Sequence, residues 1–124
     1  MGWERRRTHA FRAWPETPRC ERSPLGETVL RETKPEIVYF PAADPNVDRC
    51  EREPAKSREA NVVPALSMLK QGRGASAGFV FFSTEYVFDG VDGPYSETAT
   101  PAPLSVYGRH KLEVEERVSM RAAP

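Results

Sequence analysis

Cysteine is scarce in this 124-residue chain, and Cys20 and Cys50, the only two, stand in neither a metal-binding nor a redox spacing. They read as free thiols of a reducing compartment, which makes the cytoplasm the expected location. No apolar run approaches the roughly 20 residues needed to span a bilayer. The first 24 residues also lack the continuous apolar stretch of a secretory leader. They are rich in arginine, but the interleaved Glu4, Glu16 and Glu21 argue against a transit peptide. Net charge is missing too, since 18 Lys and Arg balance 18 Asp and Glu. No global field recruits nucleic acid or an anionic membrane, so neither is an expected partner.

Proline, by contrast, is abundant at 12 residues. Residues 1–33 are expected to be an irregular Arg/Pro-rich segment, although residues 26–34 suit a short helix with Val29 and Leu30 as its apolar side. The Arg5-Arg6-Arg7 run has glutamate neighbours and no interleaved aromatic platform, so it reads as a solvated tail rather than a phosphate-binding site.

Beyond Pro35 the pattern sharpens. Ile37-Val38-Tyr39-Phe40 is a short apolar, β-rich run without alternation, which predicts a strand buried on both faces of a parallel sheet. A charged helical pattern begins near Asp48, and after Pro54 a second one carries Val62, Val63, Leu66 and Leu69 at helix spacing. Pro64 falls inside it and should kink it near Ala60. Gly72, Gly74 and Gly78 form a connector to a second apolar run, Phe79-Val80-Phe81-Phe82. A loop rich in turn signals, including Asp89-Gly90 and Asp92-Gly93, follows. A last helix is expected from about Ser105 to Met120. Strand, helix, strand, helix in that order implies crossover connections and a parallel sheet.

Two features carry chemistry. Tyr107 and Lys111 are four residues apart near the start of the last helix, which places a phenol and an ammonium on one face about 6 Å apart. A free tyrosine titrates near pH 10, and a neighbouring cation lowers that value, so that Tyr107 can give a proton to a carbonyl oxygen or take it back. Ser83 and Thr84 lie at the C-terminal end of the second apolar run, where open α/β sheets place their ligands. A hydroxyl there can polarise the same carbonyl.

The stretch FFSTEYVFDGVDGPYSETATPAPLSVYGRHKLEVEE, residues 81–116, resembles the extended short-chain dehydrogenases that reduce nucleotide-linked sugars. The similarity is to the dTDP-4-dehydrorhamnose reductase group, whose pattern runs approximately STDYVFDG, GPY.E, then NPLNVYG..KL..E. The earlier run AADPNVDRCEREPAKSREANVVPA, residues 42–65, resembles the same group. In all the resemblance covers about residues 35–116.

It implies an α/β fold, a partial Rossmann-like doubly wound parallel sheet over residues 34–124. It also implies a chain cut short at both ends, without the N-terminal glycine-rich βαβ unit and the C-terminal substrate lobe. Tyr107 becomes the proton donor, and Lys111 the partner that lowers its pKa and holds the nicotinamide ribose of NADPH or NADH. Thr84, with Ser83 beside it, polarises the substrate carbonyl. Ala42 and Ala43 line the cofactor through their backbone, and Asn61 matches the family's helix asparagine. Thr84 and Glu85 face the nucleotide-sugar substrate, although the family has Asp where Glu85 stands. The glycines at 72, 74 and 78 follow a helix, the wrong order for a phosphate-binding turn. The resemblance implies a reductase of a nucleotide-linked keto-sugar. It also admits a non-catalytic nucleotide-binding or regulatory subunit with the same fold.

Overall fold

A computed structural model of the chain describes residues 24–119. The elements run α1 (Pro24–Thr33), β1 (Ile37–Phe40), α2 (Val47–Arg52), α3 (Pro54–Asn61), α4 (Val63–Gly74), β2 (Gly78–Phe81), a 3-10 turn (Glu85–Val87) and α5 (Val106–Ser119). The irregular character expected of residues 1–23 lies outside the described residues. The last ten residues of that segment are instead the helix α1. Its apolar contact is Leu30, which is buried, whereas Val29 is exposed. Lys34 ends the helix in the left-handed region at φ 44°, its N–H bonded to Leu30 O at 2.9 Å.

β1 and β2 pair in parallel, with Ile37 opposite Gly78 and Phe40 opposite Phe81. Three helices make the crossover between them. α2 is capped by Asn46, whose side chain accepts from Arg49 N at 2.9 Å. Pro54 and Pro64 each sit in a first helical turn, the position where a missing N–H costs nothing. Pro64 therefore does more than kink a helix at Ala60. It starts a new one, and the break falls at Val62.

Phe40 and Phe81 of the sheet, with Leu66 and Val118, pack against the buried cluster of Val62, Ala65 and Val114, which joins one sheet face to α4 and α5. The sequence pattern predicted strands covered on both faces, and this is corrected. Ile37, Tyr39, Val80 and Phe82 are 48%, 63%, 37% and 49% exposed, because the described helices cover only the other face. The fold is α/β with a small parallel sheet, part of a Rossmann-like unit.

α5 is placed by its own N-terminus. Pro101 and Pro103 precede it, and Ser105 Oγ accepts from Gly108 N at 3.0 Å. The carboxylate of Glu51, from α2, accepts from Val106 N. The Arg58 guanidinium meets Glu113 at 2.5 Å and ties α3 to the middle of α5. A partly exposed pair of this kind contributes about 0.2–1 kcal/mol.

Candidate functional site

Both strands end at the same edge of the sheet, so the loops after Phe40 and Phe81 leave side by side. Ala42 and Ala43 lie in the first of these loops, Ala42 exposed and Ala43 half-buried. Ser83 and Thr84 lie in the second. The helix α5 passes next to this edge. Lys111 is 3% exposed, and its Nζ donates to the Phe82 carbonyl at 2.7 Å. That ammonium stands 4.5 Å from the centre of the Phe81 ring and 5.9 Å from the centre of the Tyr107 ring. Tyr107 and Lys111 thus share the face of α5 turned to the C-terminal end of β2.

Tyr107 is buried with Cys50 and Val106, and its ring meets Tyr86 edge-on at 6.0 Å between centroids. Burial pushes its phenol above the ordinary 10.0, and the nearby Cys50, Glu85 and Asp44 act in the same direction. Burial also holds the Lys111 ammonium below its ordinary 10.5, with Glu115 opposing. The sequence predicted that the cation would lower the phenol's pKa. Here desolvation acts on the Tyr107 ring, while the Lys111 charge is turned to a backbone carbonyl.

Thr84 has a local task in this arrangement. Its Oγ1 accepts from Tyr86 N at 3.3 Å, capping the 3-10 turn, and donates to Glu85 Oε2 at 3.1 Å. Ser83 is exposed beside it, and Glu85 is exposed as well. The glycine of the Tyr-Gly pair has a steric reason. A Cβ on Gly108 would overlap the Tyr86 carbonyl oxygen and stand 3.1 Å from Pro103 Cβ. Only a glycine lets α5 approach the turn that Thr84 caps.

Asn61 is a hub rather than an exposed ligand group. Its Oδ1 accepts from Asp44 N at 2.6 Å, and its Nδ2 reaches Asp44 O at 3.2 Å and Ser57 Oγ at 3.3 Å. Ser57 Oγ in turn lies 2.9 Å from His110 Nδ1. A continuous polar chain therefore joins the loop after Ala43 to α3 and to the turn of α5 that holds Tyr107 and Lys111. Sequence reasoning missed Ser57, His110 and Gly108. The one signal that could have found Gly108 is its cap spacing from Ser105.

Burial, the largest influence, lowers the His110 pKa from its ordinary 6.5, with Arg58 and Arg109 adding to it and Glu113 opposing. The unfolded chain thus binds the proton more readily than the folded one. Stability is complete above 6.5 and falls as pH drops through the folded-state value. The urea midpoint of the chain is expected to fall more steeply below pH 6.5 than that of a His110→Gln variant, which keeps a partner for Ser57 but cannot titrate. Parallel midpoint curves for the two proteins would remove His110 from this role.

Among the described residues no group of carboxylates, histidines and cysteines could hold a metal ion, and no helix is long and apolar enough to cross a membrane.

The chain is similar to several known proteins. Residues 19–123 match the family profile described as RmlD substrate binding domain. The dTDP-4-dehydrorhamnose reductase of Salmonella typhimurium is 37% identical over 93 residues, 74% of this chain and 31% of that enzyme. Methionine adenosyltransferase 2 subunit beta of Xenopus tropicalis is 35% identical over 92 residues, 74% of this chain and 28% of that protein. Among solved structures, the dTDP-4-dehydrorhamnose reductase of Bacillus anthracis, in complex with NADP, superposes with a TM-score of 0.71 at 33% identity. It is matched over 77% of this chain and 34% of its own. The chain spans less than a third of the length of these two curated relatives. With a family profile matched over residues 19–123 and a reductase 37% identical over 74% of the chain, the chain belongs to the RmlD substrate binding domain family, in the extended short-chain dehydrogenase group of sugar-nucleotide reductases.

Proposed function

We propose that these residues form the proton-donating part of an NAD(P)H-dependent reductase of a nucleotide-linked keto-sugar, of the dTDP-4-dehydrorhamnose reductase kind. One observation carries the reading. The buried Lys111 ammonium, bonded to Phe82 O at 2.7 Å, fixes the Tyr107 face of α5 against the loop that holds Ser83 and Thr84. In reduction Tyr107 gives its phenolic proton to the substrate's carbonyl oxygen. Its raised pKa keeps that proton in place at neutral pH. Thr84, released from its turn, or the exposed Ser83 donates a second hydrogen bond to the same oxygen.

The residues fit one end of a dinucleotide. Lys111 has three N–H groups and uses one on Phe82 O, which leaves donors for a ribose hydroxyl. The backbone of Ala42 and Ala43, in the loop after β1 at the same sheet edge, would line the dinucleotide. Hydride comes from the nicotinamide when it is bound. No glycine-rich strand-to-helix turn for the pyrophosphate occurs in the sequence.

The test is a chimera in which residues 35–116 replace the matching stretch of the Salmonella typhimurium reductase. NADPH oxidation with dTDP-4-dehydrorhamnose is expected to proceed. Tyr107→Phe in the chimera is expected to lower kcat by about 10²–10⁴-fold, the usual worth of a positioned acid, with NADPH affinity unchanged. A chimera that folds and turns over equally well after the Tyr107→Phe substitution would end this reading.

A second reading is favoured by the enclosure of Tyr107 with Cys50 and by Thr84's commitment to its turn. In it, the chain belongs to a nucleotide-binding or regulatory subunit, as methionine adenosyltransferase 2 subunit beta is named a subunit. The chimera would then bind NADPH and show no turnover. In either case the 124-residue chain alone is expected to bind NADPH more weakly than about 1 mM, some 4 kcal/mol. Titration calorimetry showing micromolar affinity would mean that another segment holds the pyrophosphate.

A further inference from the structure

We propose that Ser57 and His110 are positioning residues of the dinucleotide site: through Asn61 they fix the loop after β1 against the helix that carries Tyr107 and Lys111. The proposal deepens the reading above and rests on it. Each link lies between that loop, α3 and α5, so none depends on a surface left uncovered.

The order of donors and acceptors carries it. Asn61, 2% exposed, pairs with both backbone groups of Asp44, as a neighbouring strand would. Its Oδ1 must face the Asp44 N–H, which can only donate, and this fixes the orientation of the amide. The other hydrogen of Nδ2 then points to Ser57 Oγ at 3.3 Å, so that oxygen accepts. Ser57 is 4% exposed, and among the described residues its own hydrogen finds its acceptor in His110 Nδ1, 2.9 Å away. His110 is therefore neutral and carries its proton on Nε2. Asp44 is held from a second side by Arg49 of α2, whose Nε donates to its Oδ2 at 2.8 Å. Ala42 and Ala43, just before Asp44, are the part of this loop assigned to the dinucleotide.

Protonation of His110 undoes this order. It sets a second donor, Nδ1–H, against an oxygen that already accepts from Asn61. The Ser57 hydrogen is then buried without an acceptor, which is unfavourable. Arg58 faces the imidazole from α3, and Arg109 and Glu113 act on it from α5. The Cys50 thiol of α2 reaches Asn61 rather than His110, and α4, β2 and the 3-10 turn bring no charge that shifts it. With burial dominant, the imidazole stays neutral to below its ordinary 6.5. The tie is whole above that value and opens as pH falls through the folded-state one.

Hydrogen exchange in the full 124-residue chain tests the tie, with the Leu69 amide of α4 as the gauge of global opening. Asp44 should lose protection relative to Leu69 by about tenfold between about pH 7.5 and about pH 5. His110→Gln, which still offers Ser57 an acceptor, should abolish that loss, and Ser57→Ala should show it at every pH. Imidazole nitrogen shifts should identify His110 as the Nε2–H tautomer. In the chimera, the ratio of the parent's NADPH Kd to that of His110→Gln should rise about tenfold over the same pH range. Taking the ratio cancels the titration of NADPH and of every other group. Should Ser57→Ala fail to fold, the pH dependence and its removal by His110→Gln decide the matter. Asp44 exchange that tracks Leu69 in every variant would overturn the proposal, as would an Nδ1–H tautomer. NADPH affinity equal in parent and variants at both ends of the range would overturn the positioning role and leave the reductase reading standing. A folded chimera with no NADPH affinity would end both.

Discussion

Gly108→Ala is expected to be among the most damaging single substitutions in the chain. The added methyl group meets backbone, the Tyr86 carbonyl, and not the end of a side chain that could swing away. Either α5 shifts outward or the turn Glu85–Val87 gives up its place beneath it. Ordinary overpacking costs about 1–3 kcal/mol, and a backbone overlap belongs at or above the upper end. A domain of this size has only about 5–15 kcal/mol to lose. The urea midpoint should therefore fall sharply. The control Arg109→Ala, one residue on and exposed, should leave it nearly unchanged. Equal midpoints for the two variants would mean that α5 does not approach the turn as described. The same shift would move Tyr107 and Lys111 away from the strand end, so in the chimera Gly108→Ala should depress turnover as well as stability.

Lys111→Ala should damage both turnover and cofactor binding. The side chain joins three things: the end of β2 through Phe82 O, the Phe81 ring beneath its charge, and the face it shares with Tyr107. Its removal leaves a carbonyl without its donor, at a cost of about 1–3 kcal/mol. Part of that is returned, because burying the ammonium is itself unfavourable. In the chimera, Lys111→Ala should lower kcat by about 10²-fold or more and raise the KM for NADPH. Tyr107→Phe should change kcat alone. Lys111→Met keeps much of the stem's packing and separates the loss of charge from damage to the fold. If Lys111→Met retains full turnover and NADPH affinity, the ammonium serves only the fold.

Much of the local structure was legible because it depends on near neighbours. The break at Pro54 was read from the sequence, whereas Pro64, expected to kink one helix, starts a new one, because a first helical turn has no use for its missing N–H. The apolar runs at 37–40 and 79–82 are too short for helices and too uninterrupted for loops, and both are strands to within one residue. The i, i+4 relation of Tyr107 and Lys111 follows from helix geometry once α5 exists.

What the sequence determined by itself was therefore the order of elements, their parallel pairing and the pairing of phenol with ammonium on one helix face. Only the tertiary structure decided how exposed each face is and where each charge points. Val38 and Tyr39 are neighbours in one apolar run, yet only the face turned to α4 and α5 is covered, and that depends on helices from distant parts of the chain. Tyr107 has its phenol pKa raised rather than lowered because burial, in an enclosure shared with Cys50 from α2, desolvates it while Lys111 spends its charge on Phe82 O. Asn61, Ser57 and His110 are joined only because α3 meets α5. Desolvation and hydrogen-bond partnership are properties of three-dimensional surroundings, and no spacing along the chain encodes them.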